Sequence, residues 1–297
     1  MSAVGQDLLR DAVDLHVHAA PSPYPRRFGP VGASSHAAEA GMRAVALKSH
    51  HHSTAPDVRL AEERAGEVPV ELIGGIVLNS QVGGFNPHAV NLCLEMGGRI
   101  VWMPTISSPA HIRHMSEGRA KFPTSEARML PEPAIGLHDE SGAVRADALE
   151  VFKLIAEADA VLASGHLSAA SVVEAFELAR SAGVRRLLVN HPNFIVEADR
   201  SQTARLLELG AVFEHATCMY DDESRFKAFE LRELVEWIRA VGTERTTLAS
   251  DLGQAENPLP GESFSRILEA LAAEGFEESE LRRMVSHNPA RLVGIEV

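Results

Sequence analysis

Eight short apolar runs recur along the chain, and stretches of helical periodicity lie between them. The runs cover residues 12–16, 43–48, 70–78, 99–104, 160–165, 186–190, 211–214 and 246–250. They are apolar through most of their length and rich in Val, Ile and Leu, with little alternation. That is the pattern of parallel strands covered on both faces. The stretch 168–182 is the clearest helix: Ser171 and Glu174 have capping-box spacing, Val172, Val173, Phe176 and Ala179 share a face, and Gly183 follows. Similar patterns over 87–96, 225–241 and 264–273 run up to Gly97, Gly242 and Gly275. Strands alternating with helices predict an α/β fold, a distorted (β/α)8 TIM barrel, over an open doubly wound sheet. At 297 residues the chain fits a single barrel domain, 1–297, with room beyond the usual ~250 for an insertion.

Composition narrows the function. Hydrophobic residues are 45% and charged residues 23%, enough for a core without staples. The net charge of -13, from 28 basic and 41 acidic side chains, repels phosphate backbones and anionic lipid. A small-molecule partner is therefore expected, with no nucleic acid and no membrane. No run of about 18 apolar residues suggests a membrane span, and the first twenty residues lack a signal-peptide pattern. Cys93 and Cys218 make no disulfide framework and read as small buried apolar residues, so a reducing cytoplasm is the expected home.

The most informative residues stand where apolar runs end. Asp14-Leu15-His16-Val17-His18 closes the first run, and residues i and i+2 of a strand share a side. The fifth run ends Ser164-Gly165-His166, the sixth Asn190-His191-Pro192, and the eighth Ser250-Asp251-Leu252. Each alone could be a helix cap or polar rim. Together, they set ligand-type residues at the C-terminal ends of four strands, where barrel enzymes carry their chemistry. Imidazole and carboxylate suit a borderline divalent ion with an open water position, zinc first and Mn, Co, Fe or Ni as alternatives.

This order of motifs resembles the amidohydrolase superfamily: His-x-His on strand one, His on strands five and six, Asp on strand eight. The tail Asn288-Pro289-Ala290-Arg291-Leu292-Val293-Gly294 is also similar to the segment that commonly closes those barrels. The resemblance covers nearly the whole chain. It implies a distorted TIM barrel, one or two divalent ions, and hydrolysis at carbon or phosphorus. It also implies that His16, His18 and Asp251 ligate a first ion, and that His166 and His191 ligate a second or serve the first ion and the substrate.

One departure concerns the group that bridges two ions in that superfamily, a carboxylated Lys or Glu from the third or fourth strand. Here those runs end at Asn79 and at Pro104-Thr105. The second run instead ends Lys48-Ser49-His50-His51-His52, similar to the second-strand histidine of polymerase-and-histidinol-phosphatase phosphoesterases. Lys48 could be a carbamylated bridge, a point charge for a substrate anion, or a rim lysine. One of the three histidines is expected in the site, His51 ahead of its neighbours. Glu214 or His215 either approaches the site or pairs locally. His36, His88, His287 and the turn at His138 read as ordinary.

The connection after the fourth run is the second anomaly. The insertion, about 106–145, holds Pro109, Pro123, Pro131 and Pro133 with His111, Arg113, His114, Arg119, Lys121 and Arg128. It reads as a lid over the barrel mouth, or as a solvated excursion or oligomer contact. A homo-oligomer is expected for a barrel of this kind. The expected activity is cleavage of a C–N or C–O bond (amide, lactam, cyclic imide, lactone or ester) in a small anionic substrate. Asp251, His191 and Lys48 would be catalytic, and Lys48, His51, Asn79 and Arg113 would bind substrate. The alternatives are a phosphoesterase and a metal-dependent decarboxylase on the same barrel.

Overall fold

The computed structural model describes residues 3–65, 68–119 and 123–297; Lys121 lies outside them. The strands are β1 (Val13–Val17), β2 (Ala44–Leu47), β3 (Glu71–Ile73), β4 (Gly75–Val77), β5 (Ile100–Trp102), β6 (Val161–Ala163), β7 (Arg186–Asn190), β8 (Val212–Ala216) and β9 (Thr246–Ala249). All neighbouring pairs are parallel, β1 to β3 in one run and β4 to β9 in the next. The eight expected runs are thus eight barrel strands, the third split at Gly74 into β3 and β4. Helices alternate with them: α1 (Ala3–Leu8), α2 (Pro30–Glu39), α3 (Ala55–Ala65), α4 (Pro87–Glu95), α5 (Pro109–Ser116), α6 (Ala146–Glu157), α7 (Ala169–Ser181), α8 (Arg200–Glu208), α9 (Leu231–Val241), α10 (Pro260–Ala273), α11 (Glu278–Arg282) and α12 (Asn288–Val293). This is the (β/α)8 barrel, and among the described residues no helix is long and apolar enough to cross a membrane.

The split has a local cause. A Cβ on Gly74 would come within 2.6 Å of Ala55 Cα, so the chain can pass α3 this closely only at glycine. Thr54 fills the break: its Oγ1 donates to Leu47 O at 2.7 Å and accepts from Gly75 N at 2.9 Å.

One expected capping pair and one expected helix start move. Ser168, not Ser171, precedes α7, and Glu174 instead meets His138 Nε2 at 3.1 Å. The helix expected from 225 begins at Leu231, where Glu230 and Glu233 form the capping pair. Residues before it are held in turns, with Arg225 N donating to Asn257 Oδ1 at 3.0 Å and Ala228 N to Met219 O at 2.9 Å.

The barrel interior is one apolar cluster: Val13, Leu15, Ala44, Ala46, Ile73, Val77, Trp102, Ala163, Leu188 and Val212 pack with Ala290, Leu292 and Val293 of α12. The C-terminal segment therefore plugs the N-terminal end of the barrel. Asn288 Nδ2 donates to Thr243 O and Thr246 O, both at 2.7 Å, pinning the plug to the start of β9.

The other end closes between β1 and β9. His18 N donates to Leu252 O at 2.8 Å and Asp251 N to His16 O at 2.9 Å. Asp14 Oδ1 accepts from Ser250 N and His16 N, both at 3.0 Å. Gly253, at φ +122°, would place a Cβ 1.9 Å from His18 O, so this seam tolerates no side chain there. Gly253→Ala should lower the unfolding free energy by about 3 kcal/mol or more, whereas Gly142→Ala, at φ +83° with nothing within 4 Å, should cost only about 1 kcal/mol. Urea midpoints of the two variants check the contrast.

Candidate active site

Parity along the strands carries the polar ends inward. In β2, Ala44 and Ala46 face the barrel interior, so Lys48 and His50 follow on the same side. In β8, Val212 faces in and Glu214 follows, while in β7 Leu188 is followed by Asn190, and the two polar residues lie opposite each other across the sheet. β1 breaks its register with β2 between Asp14 and Val17. That irregularity turns His16 and His18 inward above Leu15.

These side chains converge on Asp251. Its Oδ1 lies 3.1 Å from His16 Nε2 and 3.0 Å from His18 Nε2, and its Oδ2 lies 3.6 Å from His191 Nε2. His166 stands one ring further, its centroid 5.4 Å from that of His191. Of the five expected ligands, His16, His18 and His191 thus surround the carboxylate of Asp251, and His166 adjoins them. His191 and Asp251 adopt φ of +48° and +53°, a left-handed backbone that costs about 1–3 kcal/mol in non-glycine residues and gathers at functional sites.

The supporting contacts fix the rings. His16 Nδ1 donates to Glu214 Oε1 at 2.9 Å, which also accepts from Asn190 Nδ2 at 2.7 Å. His18 Nδ1 donates to Lys48 O at 3.0 Å. A carbonyl only accepts, so the proton of neutral His18 is on Nδ1 and its Nε2 lone pair faces the Asp251 carboxylate. Burial holds His18 at about 3, against the pull of Asp251, so no proton fills that gap at neutral pH. Two acceptors 3.0 Å apart repel unless a cation joins them. The donor set therefore fits a divalent ion shared by imidazole nitrogen and carboxylate oxygen, with the far ring nitrogens oriented by a carboxylate and a carbonyl, as metal-binding histidines usually are.

Electrostatics agree. Burial lowers His191 to about 4 and takes His50 and His166 well below the ordinary range, so these rings are neutral, as ligands must be. Burial would raise Asp251, but His16 and His18 outweigh it and hold the carboxyl well below its usual value. His16 is the exception among these rings: burial is outweighed by Asp251 and Glu214, and its pKa rises. The Nε2 of His166 is buried with no partner among the described residues, and its Nδ1 lies 3.0 Å from His111 Nδ1.

Lys48 is 1% exposed, which rules out the rim reading. Its Nζ donates to His16 Nε2 at 2.9 Å and sits 5.6 Å from the Trp102 ring, and burial lowers it to about 8. Among the second-strand histidines it is His50 that enters, its ring 4.9 Å from that of His18 and its Nδ1 2.8 Å from Thr105 Oγ1. The expectation for His51 is corrected: one residue off the inward parity, its ring lies tilted against that of Tyr24 at 5.6 Å, outside the cavity lining. Asn79 is also not a lining residue. Its amide donates to His50 O and Thr105 Oγ1 and accepts from Thr105 N and Ser107 N at 2.7–3.2 Å, so it fixes the loops that carry His50. Arg113 is exposed on α5 and does not line the cavity. From the same insertion, His111, Gly118, Arg119 and Pro123 do. His215 points away from the mouth, its Nδ1 3.1 Å from Tyr220 Oη.

The cavity has a volume of about 310 Å³; Phe194, Ile195, Met219 and Phe226 give it an apolar wall beside the histidines. Sequence reasoning missed Arg26, which lines it from the loop after β1. Nothing but a basic residue in a proline-rich loop near the first histidine pair marked it.

Fold and strand-end side chains together define a (β/α)8 barrel with a histidine-rich mouth. Among solved structures, the chain resembles an amidohydrolase from Pseudomonas aeruginosa with a TM-score of 0.64 at 10% identity, covering 99% of this chain and 98% of that one. It also resembles a dipeptidase, a metallopeptidase of family M19, at 0.61 and 12%, covering 96% and 98%, and an organophosphorus hydrolase from Deinococcus radiodurans at 0.58 and 13%, covering 97% and 94%. No curated protein matches by sequence. Residues 11–214 match the profile of a family of unknown function, DUF6282, and the chain belongs to that family.

Asn79→Ala should lower the unfolding free energy by about 3 kcal/mol, because four buried partners lose their hydrogen bonds, whereas Arg113→Ala should stay within about 0.5 kcal/mol of the parent. Chemical denaturation of both variants tests this assignment.

Proposed function

We propose that the protein is a metal-dependent hydrolase that cleaves a C–N or C–O bond in a small anionic substrate. The observation that carries this reading is the His18 Nε2 lone pair facing the Asp251 carboxylate at 3.0 Å, among neutral buried imidazoles. His16, His18, His191 and Asp251 would hold the ion, zinc being the best match to their donor atoms, and His166 would complete a second position or face the substrate. A divalent ion there supplies Lewis acidity and lowers the pKa of a water molecule from about 15.7 to about 7.

The chain's own groups do the rest. Asp251 Oδ2, the oxygen not crowded by His16 and His18, takes a proton from the attacking water and passes it to the leaving nitrogen or oxygen. Where His166 Nδ1 accepts from His111, His166 Nε2 carries a proton and can donate it to a developing oxyanion. Glu214 holds the His16 ring through Nδ1. Lys48 adds positive charge beside His16 and can also serve as a carbamylated bridge if two ions bind. The apolar wall excludes water around the scissile bond.

Hydrolysis of a panel of lactones, cyclic imides, amides and esters in ¹⁸O-water tests the reading. The expected result is a product carrying one labelled oxygen, with turnover abolished by a chelator and restored by zinc. Release of carbon dioxide without label, or of inorganic phosphate from phosphomonoesters alone, would contradict it. Asp251→Asn should keep the fold and lower kcat by about 10²–10⁴. Glu214→Gln, which retains an acceptor for His16, should weaken metal affinity by about tenfold, read by competition with a chromogenic chelator.

A further inference from the structure

Four cations line the cavity: Arg26, Lys48, Arg119 and Lys227. Three have partners. Lys48 donates to His16, Arg119 pairs with Glu197 and Glu117, and Lys227 pairs with Asp222 and Glu230. Arg26 differs. Its Nε and Nη1 are buried, and no described residue accepts from them. Burying an unpaired charged donor is costly, so a guanidinium kept this way on a cavity wall is poised for an anion that arrives from outside. Burial lowers Arg26 only to about 10, so it stays charged at neutral pH.

The backbone around it is built for this placement. Ala20 N donates to Phe28 O, Arg27 N to Gly253 O and Ala255 N to Pro25 O, at 2.9–3.2 Å, which clamps the loop after β1 onto the loop that follows Asp251. Arg27 donates from Nε and Nη2 to Asn257 O at 2.9 and 2.6 Å. In extended chain, neighbouring side chains point oppositely, so anchoring Arg27 outward directs Arg26 inward. The Tyr24 ring, 5.9 Å from the guanidinium carbon, supports its face.

We propose that Arg26 is the substrate-recognition residue, binding a carboxylate on the substrate in the bidentate geometry that guanidinium and carboxylate share. This deepens, and rests on, the hydrolase reading by naming the substrate class: a carboxylate-bearing amide, imide or lactone. The carboxylate sits on Arg26, the scissile bond at Asp251, and any apolar part of the substrate against Phe194 and Phe226.

The test uses succinamate, with one carboxylate and one amide, and the neutral succinamide as probes. Both are titrated calorimetrically into metal-loaded protein, parent and variants. The parent should bind succinamate saturably. Arg26→Ala should weaken that binding about tenfold or more, Arg26→Lys should restore part of it, and succinamide affinity should not change. No saturable binding by the parent, equal succinamate affinity in the parent and Arg26→Ala, or an equal loss for succinamide would overturn the proposal. Metal content and ¹⁸O incorporation are read on the same samples, so failure of the hydrolase reading shows there while the anion affinities still report on Arg26.

Discussion

The seam between β1 and β9 is the constraint on which the rest depends. Its hydrogen bonds close the barrel and, through the same residues, set the site: His16 O takes Asp251 N, and His18 N gives to Leu252 O. The backbone that joins the last strand to the first thus brings the first two histidines and the last acid together. Asp14 works on the same joint from within, accepting from both His16 N and Ser250 N. Because Gly253 packs directly on His18 O, closure and the placement of these side chains cannot be varied separately.

The cost of this arrangement is borne by the layers below it. The mouth buries two charged groups, Glu214 and Lys48, and half-buries a third, Asp251, among imidazoles. Such groups persist only when each is held by several contacts, and Glu214, held by His16 and Asn190, is the clearest case. Beneath them the interior is wholly apolar and sealed by α12. Polar residues occur at the mouth because the strands end there, their C-terminal tips free of the packing that demands Val, Ile and Leu further down.

Much of this was legible in the sequence. All eight strands were, because parallel buried strands leave continuous apolar runs, and the C-terminal plug was readable from its Asn-Pro-Ala-Arg-Leu segment. His16, His18, His166, His191 and Asp251 stood out because a polar ligand type at the end of an apolar run is a local signal. Contacts that depend on distant loops left no such signal. His50 rather than His51, Asn79 as a fixture of the neighbouring loops, and Arg26 on the cavity wall follow from where loops cross in space. The late start of α9 was missed for a related reason: the turn before it is held in part by Asn257, 32 residues further along the chain.

The central claim is that the strand-end side chains hold a divalent ion, and the most direct measurement is metal content per chain by plasma mass spectrometry. It would be made on the parent and on a His16→Ala/His18→Ala variant, both equilibrated with zinc and freed of excess. The account predicts at least one ion per parent chain and its loss from the variant with the fold retained. No ion in the parent, or the same content in both, would contradict it.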